Sequence, residues 1–117
     1  MLHLSTSCRY YFYNGPTDMR KGFDSLSGLV HQHMGLRVEG DSIFIFFNRK
    51  RNQVKLLHWE GDGLCIFYKR LEKGTYELPA TSNQGSSIVI SAQQLQFILQ
   101  GVSLQKIQFR PRYKKTG

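Results

Sequence analysis

The hydrophobic pattern between Ile43 and Lys73 predicts three consecutive β-strands. This segment contains three apolar runs, Ile43–Phe47, Val54–Trp59 and Leu64–Arg70. The polar loop Asn48–Gln53 separates the first two runs, and the glycine-rich turn Glu60–Gly63 separates the last two. Short apolar runs bounded by glycine and polar residues are typical of strands joined by tight turns. The segment therefore predicts an antiparallel β-meander.

A strand and a helix are predicted before the meander. Arg9–Tyr13 is a short aromatic strand that ends at the turn Asn14-Gly15-Pro16, and Thr17 or Asp18 is then expected to cap a helix. The helix has one apolar stripe, with spacings of four, three, four and four residues, and it stops at Gly35. The stripe consists of Met19, Phe23, Leu26, Val30 and Met34. The internal glycines Gly22 and Gly28 indicate either close packing of this helix on the sheet or an early break.

A second helix is predicted after the meander. Ile88–Ile90 is a short strand, and Ser91 with Gln94 forms the pattern of a capping box. The amphipathic stripe that follows ends near Gly101 and consists of Leu95, Ile98, Leu99 and Val102. A last short strand is expected around Ile107 and Phe109, before a basic tail that starts at about residue 106. With no repeat and no internal boundary, residues 1–117 form one α+β domain, an antiparallel meander sheet with both helices available to cover one face.

The charge of the chain is concentrated in two segments. The formal net charge is +8, from 16 Lys and Arg against 8 Asp and Glu. Residues 1–47 are neutral, residues 48–73 carry +4, residues 74–105 carry −1 and residues 106–117 carry +5. Nucleic acid is the partner that such clustering favours, ahead of an anionic membrane surface. The apolar runs are too short to cross a bilayer, no signal peptide is visible, and two distant cysteines are typical of a reducing compartment, so we expect a cytoplasmic protein without a membrane partner.

The two basic segments supply the candidate binding residues. An antiparallel meander brings the loop residues Arg49, Lys50 and Arg51 to the end of the sheet that also holds Lys69, Arg70 and Lys73, about 20 Å from Glu60 and Asp62. These side chains either bind phosphates or belong to an ordinary solvated loop. The tail either binds DNA, with aromatic residues interleaved among its cations, or is a solubilising terminus; its candidates are Arg110, Arg112, Lys114 and Lys115. Arg20 and Lys21, near the start of the first helix, form a secondary anion site.

The sequence predicts no catalytic, metal or cofactor site. His58, Glu60 and Asp62 gather an imidazole and two carboxylates within five residues, as a metal-dependent nuclease requires. However, adjacent strand residues face opposite sides, so a structural turn beside Trp59 is favoured over a metal site. Neither a nucleophile elbow nor a phosphate-binding loop is present.

Two long segments identify a family resemblance. The stretches NGPTDMRKGFDSLSGLV and HWEGDGLCIFYKRLEKGTYELP resemble the small accessory protein, called TnpB or Orf2-like, of the IS-sixty-six family of bacterial insertion sequences. The resemblance runs from about Arg9 to Arg112. It implies a cytoplasmic protein needed for transposition beside a separate, larger transposase, and it carries over no catalytic residue. The tail departs from the family by being less basic, since Ile107, Gln108 and Phe109 dilute its charge.

Two hypotheses follow from the sequence. The first is a non-catalytic DNA-binding accessory factor that grips DNA, expected to be the transposon ends, through the basic sheet rim and the tail. The second is a protein-interaction module that bridges or activates the transposase, or other proteins of the same element, without contacting DNA. Its anchors would come from the aromatic residues Tyr10, Phe12, Trp59, Tyr68 and Tyr76. The oligomeric state stays open.

Overall fold

The fold is one five-stranded sheet with two helices. A computed structural model describes residues 4–80 and 85–101 of the chain. The elements in chain order are β1 (Arg9–Pro16), α1 (Phe23–Met34), β2 (Ser42–Phe47), β3 (Gln53–Trp59), β4 (Leu64–Arg70), β5 (Ser87–Ile90) and α2 (Ala92–Gln100). The strand order across the sheet is β4-β3-β2-β1-β5. The predicted α+β class is confirmed, and so is the β2-β3-β4 meander.

The sheet is mixed, because β1 and β2 are parallel. Tyr10 of β1 lies opposite Ile43 of β2, whereas Ile90 of β5 faces Tyr10 from an antiparallel strand. The connection between β1 and β2 contains α1, and such a crossover returns the chain to the same end of the sheet. The expectation of a wholly antiparallel sheet is therefore wrong at this one pair.

The two helices lie on opposite faces of the sheet. Alternate residues of β2 belong to two separate buried clusters, since Ile45 and Phe47 pack with α2, whereas Phe44 and Phe46 pack with α1. The expectation that both helices cover one face is wrong. The result is a three-layer domain in which β2 is buried on both sides.

Helix α1 begins later than the sequence predicts. Its N-cap is Gly22, without a side-chain cap, and it ends as expected at Gly35, which has the left-handed φ of 68°. Thr17 does not cap the helix, because its amide donates to the Phe47 carbonyl at 2.8 Å and ties the chain to β2. Close packing does not explain Gly28, since a Cβ atom there would have no neighbour within 4 Å.

Helix α2 has the predicted capping box. The Ser91 hydroxyl accepts from the Gln94 amide at 3.0 Å, and the Gln94 side chain accepts from the Ser91 amide at 2.9 Å. Gly101 ends the helix with a φ of 86°. The predicted end of the helix at Val102 and the predicted last strand around Ile107 and Phe109 lie outside the described residues. None of the helices in the described part is long and apolar enough to cross a membrane.

Candidate nucleic-acid interface

The pairing of β3 with β4 gathers cationic side chains at one end of the sheet. Gln53 pairs with Arg70 and Val54 with Lys69, so the loop before β3 and the end of β4 are neighbours. The Leu71 amide then donates to the Asn52 carbonyl at 2.8 Å and continues this pairing into the loop. We call this end the basic rim, defined by Arg49, Lys50, Arg51, Lys69, Arg70 and Lys73, all of which are exposed.

The loop that carries three of these cations is held by one asparagine. The Asn48 side-chain oxygen accepts from the amides of Asn52 and Gln53 at 3.0 and 2.9 Å, and its amide group donates to the Asn52 side chain at 2.7 Å. The Arg51 amide also donates to the Asn48 carbonyl at 3.0 Å. Asparagine side chains that bind backbone amides two or more residues on stabilise tight turns in this way. The loop therefore presents Arg49, Lys50 and Arg51 on a fixed backbone.

Arg51 adopts a backbone conformation that arginine rarely takes. Its φ is 59°, and within the described residues it is the only residue other than glycine with a positive φ. Its carbonyl accepts from the Tyr76 amide at 2.7 Å, and this contact holds the residue in place from the segment after β4. Such strain persists where the surroundings impose it, and it is concentrated at functional sites.

Within the described part of the chain, most rim cations have no carboxylate partner. Arg70 pairs with Glu72 at 3.2 Å, in an exposed and weak contact. Among residues 4–80 and 85–101, no ion pair involves Arg49, Lys50, Arg51, Lys69 or Lys73. Because Lys69 and Arg70 are consecutive strand residues, their side chains leave the sheet on opposite faces. The rim thus presents positive charge to both sides of the sheet.

The two residues of the secondary anion site, Arg20 and Lys21, differ because, among the described residues, only Arg20 is paired with a carboxylate. Asp18 accepts two bonds from the Arg20 side chain through Nε and one through Nη2, the last at 2.7 Å. These bonds, with the Arg20 backbone amide, lower the pKa of Asp18 to about 2. Arg20 is thereby neutralised locally, and Lys21 is the cation left beside the Gly22 N-cap.

Lys55 is a residue of this region that the sequence reasoning missed. The side chain is nearly buried, with 8% exposure, and Nζ donates to the carbonyls of Met19 at 2.8 Å and Lys21 at 2.7 Å. The same ammonium lies 4.6 Å from the centre of the Tyr68 ring, and the Tyr68 hydroxyl donates to the Gln53 side chain. Lys55 thus attaches the segment before α1 to the sheet. The available signal was a lysine inside an otherwise apolar strand, where a charge requires partners.

The tail candidates Arg110, Arg112, Lys114 and Lys115 lie outside the described residues. Their contribution to the surface stays a prediction.

Comparison with known proteins decides the family. The family described as IS66 Orf2 like protein matches residues 8–109. The chain belongs to this family. It is 34% identical over the full length of both chains to the uncharacterized protein y4hO of Sinorhizobium fredii. It is also 22% identical to the uncharacterized protein y4jC of the same organism, over 99% of this chain and 97% of the relative. No solved structure matches. The predicted resemblance is confirmed, and with it an accessory role in an insertion sequence.

The opposite end of the sheet holds the acidic turn of this accessory protein. His58 and Cys65 lie opposite each other on β3 and β4, and the His58 Nε2 atom is 3.8 Å from a Glu60 carboxylate oxygen. Ligand atoms of His58, Glu60 and Cys65 lie within 4.8 Å of one another. A hydrogen bond to Glu60, together with desolvation, raises the pKa of the Cys65 thiol. A protonated thiol is a poor nucleophile and a poor metal ligand. Cys65 was absent from the sequence-based cluster because only the strand register brings it beside His58.

The aromatic anchors proposed for a protein-interaction module are mostly unavailable. Tyr10, Phe12 and Tyr76 are buried in the core, since they face α2 or the segment that packs beside it. Trp59 and Tyr68 remain, with 39% and 52% exposure. Successive strand residues face opposite sides of the sheet, and this alternation separates the buried from the exposed aromatic side chains. The sequence did not indicate which face each aromatic side chain occupies.

Proposed function

We propose that this protein is a non-catalytic accessory factor for insertion-sequence transposition that binds DNA, at the transposon ends, through the basic rim and the basic tail. It acts in the cytoplasm beside a separate transposase. The observation that carries the proposal is the set of six exposed rim cations, three of them on a fixed loop and most of them without a carboxylate partner among the described residues. Phosphate contacts by lysine and arginine supply most of the affinity of such a surface for DNA.

The rigidity of the loop supports DNA binding over a merely solvated surface. A flexible loop loses conformational entropy when its side chains bind, whereas a loop already held by Asn48 and by the Tyr76 amide loses less. Each phosphate contact of the six rim cations releases counterions, so the logarithm of the binding constant falls with the logarithm of salt at a slope of about −5. The tail cations make the slope steeper, to about −7 for eight contacts.

The test is DNA binding measured by fluorescence anisotropy over a range of salt concentrations. The Arg49→Ala/Arg51→Ala double variant should weaken binding and reduce the slope by about 2. The matched control is the Arg9→Ala/Arg37→Ala double variant, which removes the same charge from exposed residues away from the rim, Arg9 at the start of β1 and Arg37 after α1. Comparing terminal-repeat DNA with a scrambled duplex measures specificity. Equal loss in the two double variants, or binding that does not depend on salt, rules out the basic rim as the DNA site.

A second candidate function is a protein-interaction module for the transposase, favoured by four exposed apolar or aromatic side chains: Phe23, Trp59, Tyr68 and Val89. Aromatic residues of this kind are enriched among the anchors of protein interfaces. A complex with the transposase that survives nuclease and high salt, and that is lost in Trp59→Ser, supports this function. A complex that dissociates when nuclease removes DNA supports the first.

A further inference from the structure

A cavity opens beside the basic rim, where the parallel strands β1 and β2 end. Its volume is about 240 Å³, and Leu78 and two prolines contribute its accessible apolar lining, because Phe12 and Phe47, which also line it, are buried. Asn14, Arg49 and Arg51 are among its polar lining residues. The cavity therefore combines an apolar surface with amide and guanidinium groups, and two of the rim cations belong to it.

The position of the cavity follows from the topology. Beyond the parallel ends of β1 and β2, the chain leaves towards α1 from one strand and enters the rim loop from the other. Diverging connections at the carboxyl ends of parallel strands leave a crevice, and in α/β sheets this is where ligands bind. The Thr17 amide donates a hydrogen bond to the Phe47 carbonyl and holds the two diverging segments together at this end of the sheet.

The chemistry of the lining selects an anion with an apolar body. None of the ten described residues that line the cavity carries a carboxylate, whereas two carry guanidinium groups. Arginine binds phosphate oxygens through two parallel hydrogen bonds. Leucine and proline side chains beside amides suit a flat ring with polar edges. A phosphate joined to such a ring is a nucleotide.

The size of the cavity separates unpaired from paired nucleotides. A volume of about 240 Å³ has room for one base, whereas the paired and stacked bases of a duplex do not fit in it. We propose that the cavity takes one unpaired nucleotide of DNA, with the base against the apolar lining and the phosphate on Arg49 and Arg51. The proposal rests on the proposed DNA binding and adds to it a preference for DNA with a single-stranded end.

The experiment compares a blunt duplex with the same duplex carrying a single-stranded overhang that contains 2-aminopurine. The wild-type protein should bind the overhang about 5-fold more tightly, the low end of the range for one base in a protein site, because the rings of Phe12 and Phe47 are buried, and the 2-aminopurine fluorescence should change on binding. Leu78→Trp fills the cavity without changing the charge. It should bind the blunt duplex as the wild type does and lose both the preference and the fluorescence change.

Each outcome decides the proposal. Equal affinity of the wild-type protein for the two DNAs, or unchanged 2-aminopurine fluorescence, overturns the cavity assignment while leaving rim binding intact. Failure to bind either DNA refutes the proposed function instead. Displacement of the overhang by a free mononucleotide, at a concentration close to the dissociation constant of the DNA, would identify a free nucleotide as the ligand of the cavity. That result would also overturn the proposal. If Leu78→Trp does not fold, the wild-type fluorescence measurement alone still tests the inference.

Discussion

Replacing Arg51 with glycine should separate the stability of the rim from its binding. Arg51 has a φ of 59°, in the left-handed region that costs a side chain with a Cβ atom about 1–2 kcal/mol. Glycine removes this cost but loses about 0.4–1 kcal/mol through the greater freedom of the unfolded chain. The expected net result is a gain of about 1 kcal/mol in the free energy of unfolding, or about 4 °C in Tm for a domain of this size.

The same substitution should weaken DNA binding, because it removes one rim cation. A lost phosphate contact reduces the slope of the logarithmic salt dependence by about 0.9. The matched variant is Arg49→Gly, which removes the same charge from the same loop where φ is not positive. Arg49→Gly should lose binding and also lose about 0.4–1 kcal/mol of stability.

Urea unfolding and anisotropy titrations on the two variants provide the assay. Stabilisation by Arg51→Gly with weaker DNA binding means that the chain keeps a strained arginine for its function. If Arg51→Gly is as destabilising as Arg49→Gly, the strain argument is refuted. An unchanged salt slope would show that Arg51 contacts no phosphate.

Three further predictions concern the rest of the fold. Lys55→Met should lower the free energy of unfolding by about 1–3 kcal/mol and speed hydrogen exchange between residues 17 and 22, because the carbonyls of Met19 and Lys21 lose their donor; exchange at the wild-type rate would contradict this. Ser91→Ala should cost about 1 kcal/mol in urea unfolding through the lost cap of α2, whereas Ser91→Asp should restore most of it. Burial, above all, raises the pKa of Tyr10 to about 12. The neutral Tyr10 side chain therefore contributes fully to the free energy of unfolding below pH 10, and this contribution is lost as the pH rises towards 12. The difference in unfolding free energy between wild type and Tyr10→Phe should therefore shrink over that interval, and a constant difference would refute the shift.

The meander was predictable because its signals are local. Each strand is a short apolar run, and the turn at residues 60–63 has glycine at Gly61, where the φ is 88°. The parallel pairing of β1 with β2 was not predictable in this way, because alternation identifies a strand but not its partner. Thr17 and Asp18 have the side chains of helix caps, yet they bind β2 and Arg20 instead. Tertiary contacts thus decided where α1 begins.

The sequence also contained an unused signal for which face of the sheet each helix covers. Ile43–Phe47 is apolar at every position, and a strand of this kind is buried on both sides. Such a strand requires a cover on each face, which two helices on one face cannot supply. For the candidate site, the grouping of the rim cations followed from the meander. The burial of Lys55 and the strained backbone of Arg51 could not be predicted from the meander, since a buried lysine and a left-handed arginine contradict local preference.

The strand order also determines when each strand can pair with its neighbours during synthesis. The meander pairs residues close in sequence and needs no long loop, so we expect it to form first. In contrast, β1 is made first but receives its outer neighbour only from β5, whose Ile90 lies opposite Tyr10. Until the ribosome has released β5, β1 is an aromatic-rich edge strand with unpaired backbone groups, the kind of surface on which chains aggregate. The same strand whose end borders the cavity beside the basic rim is therefore prone to aggregation in the nascent protein.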